Sequence, residues 1–130
     1  QIIINNYPLN IEEFQSYCLA KPMTTEECPF GPDTIVYKVA GKMFALTGLD
    51  AEEFGANLKC EPEYALDLRE RYSAIKPGWH MNKTMWNTVN AAELNDDRLF
   101  KKLIDHSYDE VVKKLTKKVK SEIQELLDNK

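Results

Sequence analysis

The chain has 130 residues and a formal net charge of −4, with 43% apolar and 29% charged residues, which fits one globular domain with a single core. No apolar run is long enough for a membrane span and no signal-peptide pattern is found, so no membrane partner is expected. The cysteines (Cys18, Cys28 and Cys60) are odd in number and widely spaced, so they form no disulfide framework, which indicates a cytoplasmic location. The acidic total weighs against a broadly basic nucleic-acid-binding surface but is compatible with a local basic face.

The N-terminal part of the chain predicts an extension, a helix and a loop. Residues 1–8 precede the first helix signal and are expected to be an upstream extension or a remnant of expression. Asn10 is a suitable N-cap and Glu13 can reach back to it, so a helix is predicted to begin there and to end at Lys21-Pro22. The proline- and glycine-rich residues 21–33 indicate a loop.

A β-hairpin is predicted next, with strands Thr34–Val39 and Lys42–Leu46 joined by the two-residue turn Ala40-Gly41. This turn places Val39 opposite Lys42, and the same register places Tyr37 opposite Phe44 and Ile35 opposite Leu46. Because side chains alternate between the two faces of a strand, the expected core face carries Ile35, Tyr37, Phe44 and Leu46. The other face is expected to be mildly basic and carries Val36, Lys38, Met43 and Ala45.

Two more strands and three helices are predicted in the second half of the chain. Asn57–Cys60 and Trp86–Val89 are the strands, and Pro62 opens a helix between them. A helix also follows Asn95, and Ser107-Tyr108-Asp109-Glu110 matches a capping box that would begin one amphipathic helix from Tyr108 to Leu126. The element order predicts an α/β (α+β) fold with a mainly antiparallel sheet and helices on one face.

The densest set of polar and aromatic groups surrounds a turn in residues 76–89. Pro77-Gly78 predicts that turn, because proline presets φ and glycine permits a positive φ. Trp79 and Trp86 could stack on nucleic-acid bases or a planar ligand, or they could belong to the core.

Other polar side chains also have both a binding and a local interpretation. Asn82 could read an adenine edge or close an Asx-turn. His80 could contact phosphate, coordinate a metal or hold the turn through a local hydrogen bond. Five lysines on or beside the predicted strands could form one basic patch or be ordinary solvated side chains: Lys38, Lys42, Lys59, Lys76 and Lys83.

The sequence lacks motifs for catalysis or metal binding. It contains no G-x-S-x-G, phosphate-loop or H-E-x-x-H pattern, and its two histidines have no cysteine pair at zinc-ligand spacing. The chain is therefore predicted to be non-enzymatic, with no cofactor and no metal site.

Four segments in order resemble the MmcQ/YjbR family. "PGWHMNKTMWNTV" is similar to that family's PG-[YW]-H-M-N-K-x-H-W-x-T-V signature, with Met85 where the family usually has histidine. "CPFGPDTIVYKVAGKMFAL", "NLKCEPEYALDLRERY" and "IDHSYDEVVKKL" resemble its other conserved segments, so the match runs from about Leu9 to Leu115. The resemblance implies a bacterial protein with a CyaY-like, double-wing fold and a DNA-binding function.

Together these observations predict an extension (1–8), an MmcQ/YjbR-like domain (9–116) and a C-terminal helical extension (117–130). The expected function is non-enzymatic binding of duplex DNA, and the alternative is a protein- or small-ligand-binding pocket at the PGWHMNK turn. The expected binding residues are Lys38, Lys42, Lys59, Lys76, Trp79, His80, Asn82, Lys83 and Trp86. A monomer is favoured over a homodimer formed through the C-terminal helix, because the apolar stripe lacks a clean heptad.

Overall fold

Six strands form one antiparallel sheet in a computed structural model that describes residues 9–79 and 81–130. The spatial order is β1-β2-β3-β4-β6-β5, and the strands are β1 (Thr24–Glu27), β2 (Thr34–Val39), β3 (Lys42–Gly48), β4 (Gly55–Lys59), β5 (Ile75–Pro77) and β6 (Trp86–Asn90). The helices are α1 (Ile11–Leu19), α2 (Pro62–Arg71), α3 (Ala91–Leu94), α4 (Asp97–Val112) and α5 (Lys117–Asp128). This architecture confirms the predicted α+β class.

The main core lies between the sheet and the helices. Phe14 of α1, Leu68 of α2 and Ile104 of α4 are buried in it against Tyr37 and Leu58 of the sheet. The opposite face of the sheet has no helical cover among the described residues and carries a smaller apolar cluster. That uncovered side, here called the open face, is therefore where a ligand could reach the sheet.

The hairpin forms as predicted, but its register shifts. Ala40 and Gly41 both have positive φ, at 48° and 82°, as a tight two-residue turn requires. Val39 lies opposite Lys42, yet an irregularity follows, and Tyr37 then lies opposite Ala45. Because Phe44 is the extra residue of a β-bulge, the β3 side chains that follow it lie on the opposite face of the sheet from the one predicted.

The predicted partners of Tyr37 and Ile35 were therefore wrong. Ile35 lies opposite Thr47, and Leu46 lies opposite Val36. Leu46 consequently packs on the open face, where the prediction had placed Val36 and Ala45, while Ala45 belongs to the main core.

The predicted capping box was also wrong. α4 runs without interruption from Asp97 to Val112, so Ser107 lies inside the helix. Its buried hydroxyl donates to the carbonyl of Phe44 and accepts from the backbone N–H of Lys59 at 2.8 Å. Ser107 therefore bridges β3 and β4 and pairs the carbonyl of the bulged residue.

The C-terminal apolar stripe is divided between two helices rather than one. The break falls at residues 113–116, and the Thr116 side chain caps α5 by accepting from the N–H of Val119. Ile123 of α5 is buried in the main core, and Val119 packs against it. Part of the predicted C-terminal extension therefore completes the core of the same chain.

Across residues 9–79 and 81–130, no helix has the length and apolarity needed to cross a bilayer.

Candidate ligand-binding groove

A concave groove of about 560 Å³ lies on the open face of the sheet. Its floor includes Leu46 of β3, Asn57 of β4 and Thr88 of β6. Its walls come from three connections that are distant in the sequence: the β1–β2 loop, the β3–β4 loop and the β5–β6 loop. The sheet thus supplies a fixed base, and the loops supply the side chains that a ligand would meet first.

Two large aromatic side chains at this groove are mostly exposed to solvent. Phe30 in the β1–β2 loop is 67% exposed, and Trp79 in the β5–β6 loop is 70% exposed. Met43 and Met81 add flexible apolar surface to the lining. Exposed aromatic surface that borders a concavity is typical of a binding site rather than of an ordinary protein surface.

Hydrogen bonds between floor and wall hold the Trp79 backbone in place. The N–H of Trp79 donates to Thr88 Oγ1 at 3.0 Å, and Asn57 Nδ2 donates to the carbonyl of Trp79 at 3.4 Å. The hydroxyl of Thr88 in turn donates to Asn57 Oδ1. These bonds make Asn57 and Thr88 part of the support for Trp79 as well as part of the floor.

The turn before Trp79 depends on close packing at Gly78. A Cβ added to Gly78 would lie 2.7 Å from the Cβ of Trp86 and 3.0 Å from its carbonyl oxygen. Gly78 also donates its N–H to that carbonyl at 2.8 Å. Its φ is not positive, so the predicted reason for this glycine was wrong: the backbone approach, and not a left-handed conformation, requires it.

Arg69 of α2 fastens the C-terminal side of the same loop. Its Nε donates to Asn87 Oδ1 at 2.6 Å, and its guanidinium also donates to the carbonyls of Trp86, at 3.2 Å, and of Lys83. Asn87 is only 2% exposed and donates to the carbonyl of Ala65. The sequence analysis missed Arg69 and Asn87, although a polar residue at an inward position of a strand is the signal that could have found them.

The predicted site residues of the turn segment fall into different positions. Trp79 borders the groove, whereas Trp86 is buried on the open face with Val36 and Leu46. Asn82 closes an Asx-turn, since its Oδ1 accepts from the N–H of Thr84 at 2.9 Å. Lys83 donates to the carbonyl of Gly78 at 2.9 Å and so braces the turn, while His80 lies outside the described residues.

The other four predicted lysines do not line the groove. Lys38 forms an ion pair with Glu27 at 3.2 Å, and Lys42 lies opposite Val39, whose side chain belongs to the main core. The pKa of Lys59 is lowered by burial and by the nearby ammonium of Lys114. Lys76 is exposed on the edge strand β5, opposite Thr88.

Acidic side chains line the groove instead. Asp50 and Glu53 belong to the β3–β4 loop, and Glu53 Oε2 accepts from Asn90 Nδ2 at 2.7 Å. No lysine or arginine is found among the described residues of the lining. The groove therefore presents aromatic, amide, hydroxyl and carboxylate groups to whatever enters it.

No cysteine is found among the described residues that line the groove. Burial raises the pKa of Cys18 and of Cys60 to about 12, so both remain protonated at neutral pH. Cys28 is exposed. Over the part of the chain that the structure describes, no three histidine, cysteine or acidic side chains come together as a metal site.

The YjbR family model matches residues 19–110. This chain belongs to the YjbR family. Escherichia coli O157:H7 has a relative named "Uncharacterized protein YbdF" that is 41% identical over 91 residues, which cover 69% of this chain and 74% of the relative. "Uncharacterized protein YjbR" of Escherichia coli strain K12 is 31% identical over 105 residues, covering 80% of this chain and 88% of that protein.

Two crystal structures share the fold. A Deinococcus radiodurans protein with a DUF419 domain superposes with a TM-score of 0.84 and 30% identity, covering 94% of this chain and 92% of that one. A Pseudomonas syringae protein gives a TM-score of 0.66 and 27% identity, covering 76% of this chain and 96% of that one. The resemblance predicted from four sequence segments is thus confirmed for the family, and the α+β fold is shared with these structures.

Proposed function

We propose that this YjbR family chain is a non-enzymatic binding domain that holds a small organic ligand in the open-face groove. The observation that carries the proposal is the cavity of about 560 Å³ with Phe30 and Trp79 exposed at it. Pockets for small molecules typically enclose a few hundred cubic ångströms and combine apolar walls with a few polar groups.

The support around the groove favours a preformed site. Trp79 is attached to the floor through Asn57 and Thr88, and the loop that carries it is tied to α2 by Arg69. A wall that is already positioned loses less conformational entropy when a ligand binds. These hydrogen bonds therefore support a wall that is in place before a ligand arrives.

The chemistry of the lining favours binding over catalysis. Catalysis by a nucleophile requires an activated side chain next to a base, and the two buried thiols are protonated and lie outside the groove. Among the described residues of the lining there is no cysteine, serine or histidine to act as such a nucleophile or base.

Indole NMR signals provide the test. The chain has two tryptophans, so ¹H–¹⁵N spectra contain two indole N–H signals, one from the groove and one from buried Trp86. Titration with a library of small fragments, up to about 10 mM each, is expected to give saturable shifts of the Trp79 signal at the weak affinities typical of fragments.

A matched pair of variants assigns the effect to the groove. Phe30→Ala should weaken the binding of each hit, whereas Leu66→Ala, which removes an exposed side chain from α2, should leave it unchanged. If no fragment gives a saturable shift, or if Leu66→Ala weakens binding as much as Phe30→Ala, the proposal is refuted.

Duplex DNA is the second candidate, as the family resemblance predicts. Its specific support is that Lys76 is exposed on β5, opposite Thr88, whose side chain bonds to the backbone of Trp79. An exposed cation and an exposed aromatic ring in this region could contact a phosphate and a base. The acidic groove supports this candidate less well than a small ligand, because carboxylates repel phosphate.

A further inference from the structure

We propose that the ligand of the groove is an organic cation, namely an ammonium group attached to a flat apolar body. This inference rests on the proposed function and specifies the ligand class of that same site. Its basis is the coincidence of two features in one cavity: exposed aromatic rings and unbalanced carboxylates.

The charged side chains among the described lining residues are all acidic. Asp50 and Glu53 line the groove, and the described lining residues include no lysine or arginine to balance them. Two lysines that flank the Trp79 turn are placed elsewhere, since Lys83 donates to the carbonyl of Gly78 and Lys76 lies outside the lining on the edge strand. An anionic ligand would therefore lose water beside two carboxylates without gaining a cationic partner.

Trp79 adds the second feature. An indole face attracts a cation through its quadrupole, more strongly than the ring of tyrosine or phenylalanine, and the attraction increases as water is displaced. Trp79 is 70% exposed and Phe30 is 67% exposed, so both rings retain area that a ligand can cover. Aromatic faces combined with carboxylates favour the ammonium head, and the flat apolar body accounts for the remaining aromatic and methionine surface.

A hydrogen bond orients the exposed carboxylate of Glu53 for this role. One of its carboxylate oxygens accepts from Asn90 Nδ2 at 2.7 Å, and Asn90 belongs to the end of β6. A carboxylate oxygen has two lone-pair directions, and the second oxygen of the group is not used in that bond. The side chain is thus oriented while it retains acceptor capacity for an ammonium group.

A series of three probes with the same phenylethyl body tests the inference. The probes are 2-phenylethylamine, which is a cation at pH 7, 2-phenylethanol, which is neutral, and 3-phenylpropionate, which is an anion. Affinity is measured from the Trp79 indole signal at low ionic strength. The cation is expected to bind about tenfold more tightly than the alcohol, and the anion more weakly than either.

Charge-neutralising variants then locate the effect. Asp50→Asn and Glu53→Gln should each reduce the affinity for the cation severalfold and so narrow its advantage over the alcohol, and the glutamine oxygen can still accept from Asn90. Glu12→Gln, on the exposed surface of α1, is the matched control and should have no effect.

The outcomes separate this inference from the proposed function. Equal binding of all three probes, or preferred binding of the anion, overturns the inference while leaving a small-ligand site in place. Failure of all three probes, when other fragments do shift the Trp79 signal, overturns it in the same way. Failure of every fragment in the wider library overturns both.

Discussion

At the scale of single residues, Gly78 determines where Trp79 is held. The methyl group of an alanine at this position would lie 2.7 Å from the Cβ of Trp86, so the backbone must move to remove the clash. We expect Gly78→Ala to lower the free energy of unfolding by about 1–3 kcal/mol, as overpacking of a close contact does. Urea denaturation measures this change.

The control for that substitution is Gly48→Ala, where the nearest atom to the new methyl would be a carboxylate oxygen of Asp50 at 3.5 Å. This ordinary contact should alter stability by less than about 0.5 kcal/mol. A Gly78→Ala variant as stable as the control would mean that the loop adapts and that close packing is not what requires this glycine.

The sequence predicted the roles of single residues correctly where their hydrogen-bond partners are close in the chain. The Asx-turn of Asn82 and the N-cap of Asn10 depend on atoms two or three residues away, and both form. Gly78 was predicted for the wrong reason, because its partner Trp86 lies across a strand pair and no local pattern reports that approach. Arg69 escaped notice for the same reason: its acceptors are 14–18 residues away.

At the scale of elements, Ser107 joins α4 to two strands. Its hydroxyl donates to the carbonyl of Phe44 and accepts from the N–H of Lys59. Ser107→Ala therefore leaves both backbone groups without that partner. We expect the free energy of unfolding to fall by about 1–3 kcal/mol, the cost of an unsatisfied buried polar group. Thermal or urea unfolding provides the measurement.

Ser121→Ala is the matched control, because Ser121 is exposed inside α5 and the same exchange gives the same gain in helix propensity. The difference between the two variants therefore isolates the bridge between β3 and β4. Equal stability of the two variants would show that water or a relaxed backbone replaces the hydroxyl.

The helix boundaries show why element prediction failed here. Serine followed three residues later by glutamate predicts an N-cap, and the same residues fit the interior of a helix when the hydroxyl has a tertiary partner. The tertiary partner of the Ser107 hydroxyl is the carbonyl of Phe44, the extra residue of the β-bulge. Neither feature can be predicted alone, because each depends on the contact between a helix and a strand 63 residues apart.

At the scale of the whole molecule, the sequence predicted a pocket at the Trp79 turn but not the rest of the groove, because the walls come from three separate loops. The sequence drew attention to the turn with Trp79, but Phe30 and Asp50 join it only after the sheet has formed. The net charge of −4, by contrast, was available from the start and agrees with the acidic lining.

This distribution of charge determines how duplex DNA should behave. Contacts would come from lysines outside the groove, such as Lys76, and would be mainly to phosphate. We expect binding no tighter than the non-specific range of about 10⁻⁴–10⁻⁶ M, with log K falling as log salt rises. Lys76→Glu should weaken binding to all sequences alike, and Asp50→Asn should strengthen it if the duplex passes over the groove, the opposite of its effect on a cationic ligand. Fluorescence anisotropy at low salt measures both changes.

No binding at protein concentrations of about 10⁻⁴ M would exclude the DNA function. Sequence-specific binding that resists salt would contradict the charge argument and point to a base-reading surface elsewhere on the molecule.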